Sequence, residues 1–238
     1  MRYLLLLFMS VLTLSSCTTT TESVTSSGNF ARASIYSDMY STAQRKTIMI
    51  MPPINRTVNV EAKEYLYSSL AKPLCEKGYY VMSPFLALET LKDQSAYDAE
   101  LYINGNIKKL NEAFGADLAL FTIIHKWDKS ALTNSVTIEV EYLLKSTTTG
   151  AELFHRLGTV VVDTQIKDNT DNGGLVGMLV DMTASAINTA TTNKMNAVKT
   201  CNAYVLQDLP CGDYSDQYNK DQNVSAGGSD VSISMHSE

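Results

Sequence analysis

Two carboxylates stand at a spacing that could support acid–base chemistry. If residues 136–145 form a strand, Glu139 and Glu141 point to the same face and lie roughly 7 Å apart at about 3.4 Å per residue. That separation falls in the ~6.5–9.5 Å range of paired carboxylates in inverting glycoside hydrolases. Alternation along a solvent-facing strand explains the pair equally well, and we interpret them so. We predict no catalytic residues.

The three histidines offer no evident metal site. His125, His155 and His236 are far apart in the sequence, without the ligand spacing of a zinc site. His125 and His155 could meet across a sheet, but ordinary core or edge positions explain them as well. No glycine-rich turn joins a strand to a helix in the pattern of a phosphate loop. We therefore predict neither a metal nor a cofactor.

The amino terminus carries a modification signal. Arg2 is the only charge before an apolar run of about a dozen residues, which suits a signal peptide and is too short to span a bilayer. Leu14-Ser15-Ser16-Cys17 resembles the bacterial lipobox. We predict a signal peptide over residues 1–16 and acylation of Cys17; the alternative is an ordinary secretory signal cleaved elsewhere. Thr18 is not the aspartate that retains lipoproteins at the inner membrane, which favours the outer membrane.

An oxidising compartment would permit disulfides. Cys201 and Cys211 lie ten residues apart, and a disulfide between them would close a short loop. Two unpaired thiols are the alternative. Cys75 is expected to be a buried small apolar residue of the first helix and not a nucleophile.

Composition sets the class of protein. The chain has 238 residues, 45% of them hydrophobic, and a net charge of −6, which becomes −7 when Arg2 leaves with the signal peptide. An acidic chain is a poor ligand for phosphate backbones, so we expect no nucleic-acid partner. We predict a lipidated flexible tether over residues 17–44, one domain over 45–200, and a largely loose extension over 201–238.

Hydrophobic patterning predicts the elements of that domain. Strands are expected at residues 47–51, 79–82, 117–127, 136–145 and 153–162, and helices at 60–77, 84–92, 107–114 and 175–191. This order indicates an α/β sandwich of two or three layers. Its mixed sheet would have parallel first strands and an antiparallel C-terminal hairpin, and a helix would close the fold.

Several segments resemble a known family. KTIMIMPPINRTVNVEAKEYLYSSLAKPLCEKGYYVMS, FGADLALFTIIHKW, SVTIEVEYLLKSTTTGAELF and LQDLPCGDY are similar to a family of uncharacterised bacterial lipoproteins that includes a neisserial surface antigen. The resemblance covers roughly residues 45–215. It implies a fold similar to the periplasmic domain of the curli-secretion lipoprotein CsgG and the N-terminal domain of TolB. Family members often occur beside a CsgG-like lipoprotein, which implies a shared outer-membrane assembly.

Two functions remain open from the sequence. The first is a non-enzymatic, lipid-anchored component of the outer membrane that faces the periplasm and assembles with a CsgG-like lipoprotein or with itself, through residues 175–187 or the hairpin. The second is a periplasmic module that binds a small ligand near residues 52–59, at the carboxyl ends of the early parallel strands. An apolar, filled crevice there would favour the first function, and a pocket with convergent polar groups the second.

Overall fold

The computed structural model describes residues 21–26, 30–40, 46–130, 135–163 and 190–236, and all elements named below lie within those ranges. The strands are β1 (Thr21–Ser26), β2 (Thr47–Ile50), β3 (Ile54–Asn55), β4 (Tyr80–Val81), β5 (Leu118–Ser130), β6 (Ser135–Ser146), β7 (Glu152–Asp163) and β8 (Asp230–His236). The helices are α1 (Arg32–Ile35), α2 (Ser37–Tyr40), α3 (Ala62–Glu76), α4 (Pro84–Asp93), α5 (Glu100–Ile103), α6 (Lys108–Phe114) and α7 (Ala190–Leu206).

One mixed sheet forms the centre of the fold. Its strands follow the order β1-β8-β7-β6-β5-β2-β4, and β3 continues beside β5 where β2 ends. β2 pairs in parallel with β4 and β5, whereas β5, β6 and β7 pair antiparallel. The predicted α/β class with a mixed sheet, parallel first strands and an antiparallel hairpin is therefore confirmed.

Helices cover both faces of the sheet. On one face, Leu66, Leu70 and Leu74 of α3 are fully buried, as their four-residue spacing predicts. They share a core with α7 and with the even-numbered apolar residues of β6. On the other face, Met49 and Phe121 pack under α4 and α6. The sandwich thus has three layers around β2 and β5, while Glu139 and Glu141 of β6 stay half-buried on the second face.

A glycine allows α7 to lie close to the sheet. A Cβ at Gly158 would stand 2.5 Å from the Cγ2 of Val205 and 2.9 Å from the Sγ of Cys201. α7 packs there on β7 and β6. The closing helix predicted at residues 175–191 lies almost wholly outside the described residues, and the helix that covers this face is α7.

The C-terminal extension belongs to the domain, so its prediction as largely loose is wrong. Leu209 and Ala226 are buried, as are Val231 and Ile233 of β8, and β8 lies between β7 and β1. The polar composition of residues 207–230 concealed their packing on the domain. β8 was also hard to predict, because a short β-strand needs only alternate apolar side chains. The boundary predicted at residue 200 cuts through α7.

The tether predicted over residues 17–44 is also wrong for residues 21–26 and 30–40, which the structure places in the domain. β1 pairs antiparallel with β8, Thr21 opposite His236, in a segment whose polar sequence gives no strand pattern. Residues 30–40, which we term the strap, pack onto the core with Tyr36 and Met39 buried. Backbone hydrogen bonds and a buried charge hold these residues, and neither leaves a mark in hydropathy.

That charge is Arg32, which fastens the strap to the C-terminal segment. Its Nη1 donates to Oδ2 of Asp221 at 2.8 Å and its Nη2 to the carbonyl oxygen of Gln207 at 2.6 Å. Asp221 also accepts hydrogen bonds from the Tyr40 hydroxyl at 3.0 Å and the Cys211 N–H at 2.9 Å. Both charged side chains are buried.

A second buried arginine lies beside the first. Nη2 of Arg156 donates to the Tyr36 hydroxyl and to the carbonyl oxygen of Ala226 at 2.8 Å. Its guanidinium also sits over the rings of Tyr36 and Phe154, at 5.6 and 5.1 Å from their centroids. Burial raises the pKa of Tyr36 to about 12 even though Arg156 lowers it, so the hydroxyl stays neutral. The strap is thus bound at two points.

Asp221→Asn should lower the free energy of unfolding by about 3 to 5 kcal/mol, because it leaves Arg32 buried without a counter-charge. Burial raises the pKa of Asp221, but the Cys211 N–H, the Tyr40 hydroxyl and Arg32 outweigh it, so this pKa lies below its ordinary value. The stabilisation is therefore complete above the unfolded value of about 3.9 and is lost as pH falls through the lower folded value. Urea denaturation, followed by the fluorescence of the single, buried Trp127, measures the free energy of unfolding at each pH.

The matched control is Asp216→Asn, which removes an exposed carboxylate from the same segment and should change stability by about 0.5 kcal/mol or less. Equal stability of the two variants at pH 7 would show that the Arg32 ion pair does not fasten the strap.

Candidate functional site

A cleft of about 700 Å³ opens at the carboxyl ends of β2 and β3. It lies where the sequence predicted a ligand site, since residues 52–55 form one wall. The other walls come from α3, α4 and the segment that leads into α5. The lining residues are Pro52, Pro53, Ile54, Asn55, Lys63, Glu64, Tyr67, Leu88, Ser95, Tyr97, Asp98, Ala99, Glu100 and Leu101.

Two polar groups of the cleft wall are occupied by the protein itself. The Tyr67 hydroxyl donates to the carbonyl oxygen of Pro84 at 2.7 Å, and burial raises its pKa, so it remains a donor. Nδ2 of Asn55 donates to the carbonyl oxygen of Asn59 at 2.7 Å, while its Oδ1 accepts from the Thr57 N–H at 2.9 Å. These bonds fix the shape of the wall and of the loop that follows β3.

The charged groups of the cleft are near its mouth. Lys63 and Glu64 stand exposed in the first turn of α3. Glu100 pairs with Arg56 at 2.9 Å, both side chains about half exposed. The lining residues, all within the described chain, include no histidine or cysteine, so the cleft has no thiol–imidazole pair.

Large apolar side chains on the cleft and its adjoining loop face solvent. Val58 and Val60, in the loop from β3 to α3, are 95% and 86% exposed. Tyr97 and Leu101, which line the cleft, are also more than half exposed. Clustered exposed apolar groups mark interaction surfaces in water-soluble domains. The cleft is therefore open, partly apolar and accessible to a macromolecule.

Glu141 joins the two histidines across the sheet. Nε2 of His125 lies 2.8 Å from its Oε2, and Nε2 of His155 lies 2.8 Å from its Oε1. Burial raises the pKa of Glu141, but the hydrogen bonds to His125 and His155 outweigh this and lower it. The three side chains bond to one another, and no group of three or more His, Cys, Asp or Glu residues in the described chain is arranged to hold a metal ion.

Glu139 takes a different partner. Its Oε2 accepts from Nζ of Lys126 at 2.8 Å, so the two glutamates serve in separate cross-strand pairs. His236, the third histidine, ends β8. Sequence reasoning allowed His125 and His155 to meet across a sheet but missed Glu141 of β6, the strand between theirs, which bridges them. The pairing register of β5 with β6, which has a bulge after Ile124, decides which side chain of β6 lies beside His125.

The structure keeps Cys75, Cys201 and Cys211 as free thiols, so the disulfide considered for Cys201 and Cys211 is not formed. Sγ of Cys201 accepts the Tyr142 hydroxyl at 3.3 Å in the core under β6, and burial raises the pKa of its thiol to about 12. Cys211 follows Pro210 in the loop beside Asp221. Cys75 is exposed and not buried as expected, because it faces away from the leucines of α3.

Cys17 and the signal peptide lie outside the described residues, and their prediction stays a prediction. Within the described ranges, no helix has the length and apolar character needed to cross a bilayer.

Sequence reasoning placed the β2–β3 wall of the cleft and missed its other side. The segment 95–101 has weak periodicity, so Tyr97 and Leu101 went unnoticed. One signal was present: Val58 and Val60 are apolar, yet the loop around them has neither a strand partner nor a helical period. Apolar residues without a place in the core are candidates for a surface that binds.

Known proteins resemble this chain over most of its length. The family model of GNA1162-like lipoproteins matches residues 35–209. Lipoprotein NMB1124/NMB1162 of Neisseria meningitidis serogroup B is 27% identical over 162 residues, which are 67% of this chain and 74% of that protein.

Two solved structures show similarity at lower levels. The crystal structure of lipoprotein GNA1162 from Neisseria meningitidis is 28% identical and has a TM-score of 0.47, covering 58% of this chain and 94% of that one. The PelC dodecamer from Paraburkholderia phytofirmans is 16% identical with a TM-score of 0.42, covering 79% and 95%. Since the family model spans well over half of the sequence, the chain belongs to the GNA1162-like lipoprotein family.

Proposed function

We propose that this chain is a lipid-anchored interaction component of the cell envelope that acts without catalysing a reaction. An acylated Cys17 would hold it in the outer membrane with the domain in the periplasm. The lipobox-like residues 14–17 and membership of a lipoprotein family support the anchor. Two or three acyl chains retain a protein stably, because each buried CH₂ contributes about 0.8 kcal/mol.

The cleft and the exposed apolar loop from β3 to α3 beside it carry the interaction role. Val58 and Val60 are almost fully exposed, and burying such a side chain against a partner stabilises a complex by roughly 1.5 to 3 kcal/mol. The cleft is built on β2 and β3, which belong to the sheet, and on α3, which packs tightly on it. Its shape therefore exists before a partner binds. A preformed surface loses less conformational entropy on binding.

The partner we propose is a CsgG-like lipoprotein of the same membrane. The support is the resemblance of residues 45–215 to a lipoprotein family whose members often occur beside such a protein. The resemblance of that family's fold to the CsgG periplasmic domain and to TolB points the same way. Self-association of this chain is the variant of this role in which the partner is a second copy.

A periplasmic module that binds a small ligand is the second candidate. The volume of the cleft, about 700 Å³, lies within the roughly 300–1,000 Å³ of ligand pockets. Its place at the carboxyl ends of parallel strands is also typical of ligand sites in open α/β sheets. Against this candidate, Tyr67 and Asn55 already bond to the protein, and the charged lining residues Lys63, Glu64, Asp98 and Glu100 are exposed.

Cys17→Ala should release the protein from the membrane. The mature wild-type protein is expected to begin at Cys17, to carry acyl chains by mass spectrometry, and to sediment with the outer membrane. The alanine variant should lose the acyl mass and leave that fraction. A native protein that begins at another residue without acylation would contradict the anchor.

A Val58→Asp/Val60→Asp double variant should weaken the complex with the CsgG-like lipoprotein at least about tenfold, because each change puts a charge into an apolar contact. Co-purification in mild detergent with the purified partner measures it. The matched control is Phe85→Asp, which alters a similarly exposed apolar residue of α4 that lies outside both the cleft and the loop from β3 to α3. Equal retention in all three proteins contradicts the role of the cleft, and a small molecule in the native mass spectrum would favour the second candidate.

A further inference from the structure

A second group of exposed apolar side chains lies at the strap, away from the cleft. Phe30 is 67% exposed, and Ile35 and Val224 are each about half exposed. Phe30 and Val224 belong to two segments joined by a β-bridge between Ala31 and Ser225. The Ala226 N–H donates to the carbonyl oxygen of Phe30 at 2.8 Å, and the Arg32 N–H to that of Val224 at 2.8 Å. We term Phe30, Ile35 and Val224 the strap patch.

The base of the strap patch is rigid. Arg32, between Phe30 and Ile35, is buried and bound to Asp221 and to the carbonyl oxygen of Gln207. Tyr36, directly after Ile35, is buried as well. The strap therefore turns Arg32, Tyr36 and Met39 inward and leaves Phe30 and Ile35 on the surface.

The strap patch carries no exposed cation of its own. Arg32 is the only charged residue in the segment 30–35 and it is neutralised by Asp221, while residues 222–225 are Gln, Asn, Val and Ser. A surface of this kind binds through apolar contact and gains little from anionic partners. Its binding should respond weakly to ionic strength.

The path of the chain limits what the strap patch can meet. Only residues 18–20 separate Cys17 from β1, so Thr21 lies within about 14 Å of Cys17 at ~3.6 Å per residue. β1 is the outermost strand of the sheet, and residues 27–29 connect it to Phe30. An acyl group on Cys17 would thus hold this edge of the sheet at the lipid surface. This step rests on the acylation proposed above.

We propose that the strap patch, which follows the β1 edge in the chain, is a membrane-contact surface, with Phe30, Ile35 and Val224 resting on the lipid bilayer. The bilayer is the occupant because the anchored chain delivers this edge to it, and because the exposed groups of the strap patch are apolar and uncharged. The domain then has a defined orientation. β3 lies five strands from β1 in the sheet, roughly 24 Å at ~4.8 Å per strand, so the cleft is presented away from the contact.

The test uses the acylated full-length protein in vesicles of phosphatidylcholine. An environment-sensitive fluorophore is attached at Phe30→Cys or at Val224→Cys, in a background where Cys75 and Cys211 are serine, and is quenched by nitroxide-labelled lipid. The control is Phe85→Cys, because Phe85 is 69% exposed and lies on α4 near the far edge of the sheet. Quenching at positions 30 and 224 should exceed that at position 85 by about threefold, with the same result at high salt.

The same preparation separates the two proposals. A mass spectrum that lacks acyl chains, with protein lost from the vesicles, overturns the anchor. Acylated protein that stays on the vesicles but shows equal quenching at positions 30 and 85 overturns the membrane contact alone. Quenching that requires anionic lipid would also overturn the membrane contact by apolar side chains, because such a result would show that charge drives the binding. Unchanged fluorescence of the buried Trp127 verifies that each variant is folded.

Discussion

The ion pair between Arg32 and Asp221 is the interaction on which the closure of this fold depends. It joins a residue near the beginning of the domain to one near its end, and both charges are buried. Burying two charges costs several kcal/mol per ion unless the pair has good geometry and its remaining groups are bonded. Here the Tyr40 hydroxyl and the Cys211 N–H donate to the carboxylate and the Gln207 carbonyl accepts from Nη2 of the guanidinium, while Nε of Arg32 has no partner among the described residues. The pair is thus specified by its surroundings and would not form in an incomplete domain.

That closure gives the central sheet two different edges. β1 and β8 come from opposite ends of the chain and together extend the sheet beyond the hairpin of β6 and β7. β2, β3 and β4 form the other edge, where the chain leaves the sheet at Pro52 and the cleft opens. The anchor proposed at Cys17 would lie beside the first edge, and the proposed interaction site lies beside the second. The sheet is the rigid spacer between them.

Polar clusters elsewhere in the domain serve its architecture. Glu141 bridges His125 and His155 at 2.8 Å each, and Glu139 pairs with Lys126, so the residue types that suggest acid–base or metal chemistry are used to connect adjacent strands. Each carboxylate is bonded to a side chain of a neighbouring strand. Among the described residues, exposed hydrophobic side chains at the cleft and at the strap are prominent surface features.

The sequence by itself determined the elements of the central domain, because hydrophobic periods of two and of about four residues follow directly from strand and helix geometry. Leu66, Leu70 and Leu74 indicated α3, and the alternation in β6 predicted the hairpin. The sequence motifs also indicated membership of a lipoprotein family. Only the tertiary structure decided that the strap, β1 and β8 belong to the domain and that Tyr97 and Leu101 meet Pro52 across a cleft. These facts rest on backbone pairing, a buried ion pair and long-range packing, which join residues far apart in the chain and leave no periodic signal in it.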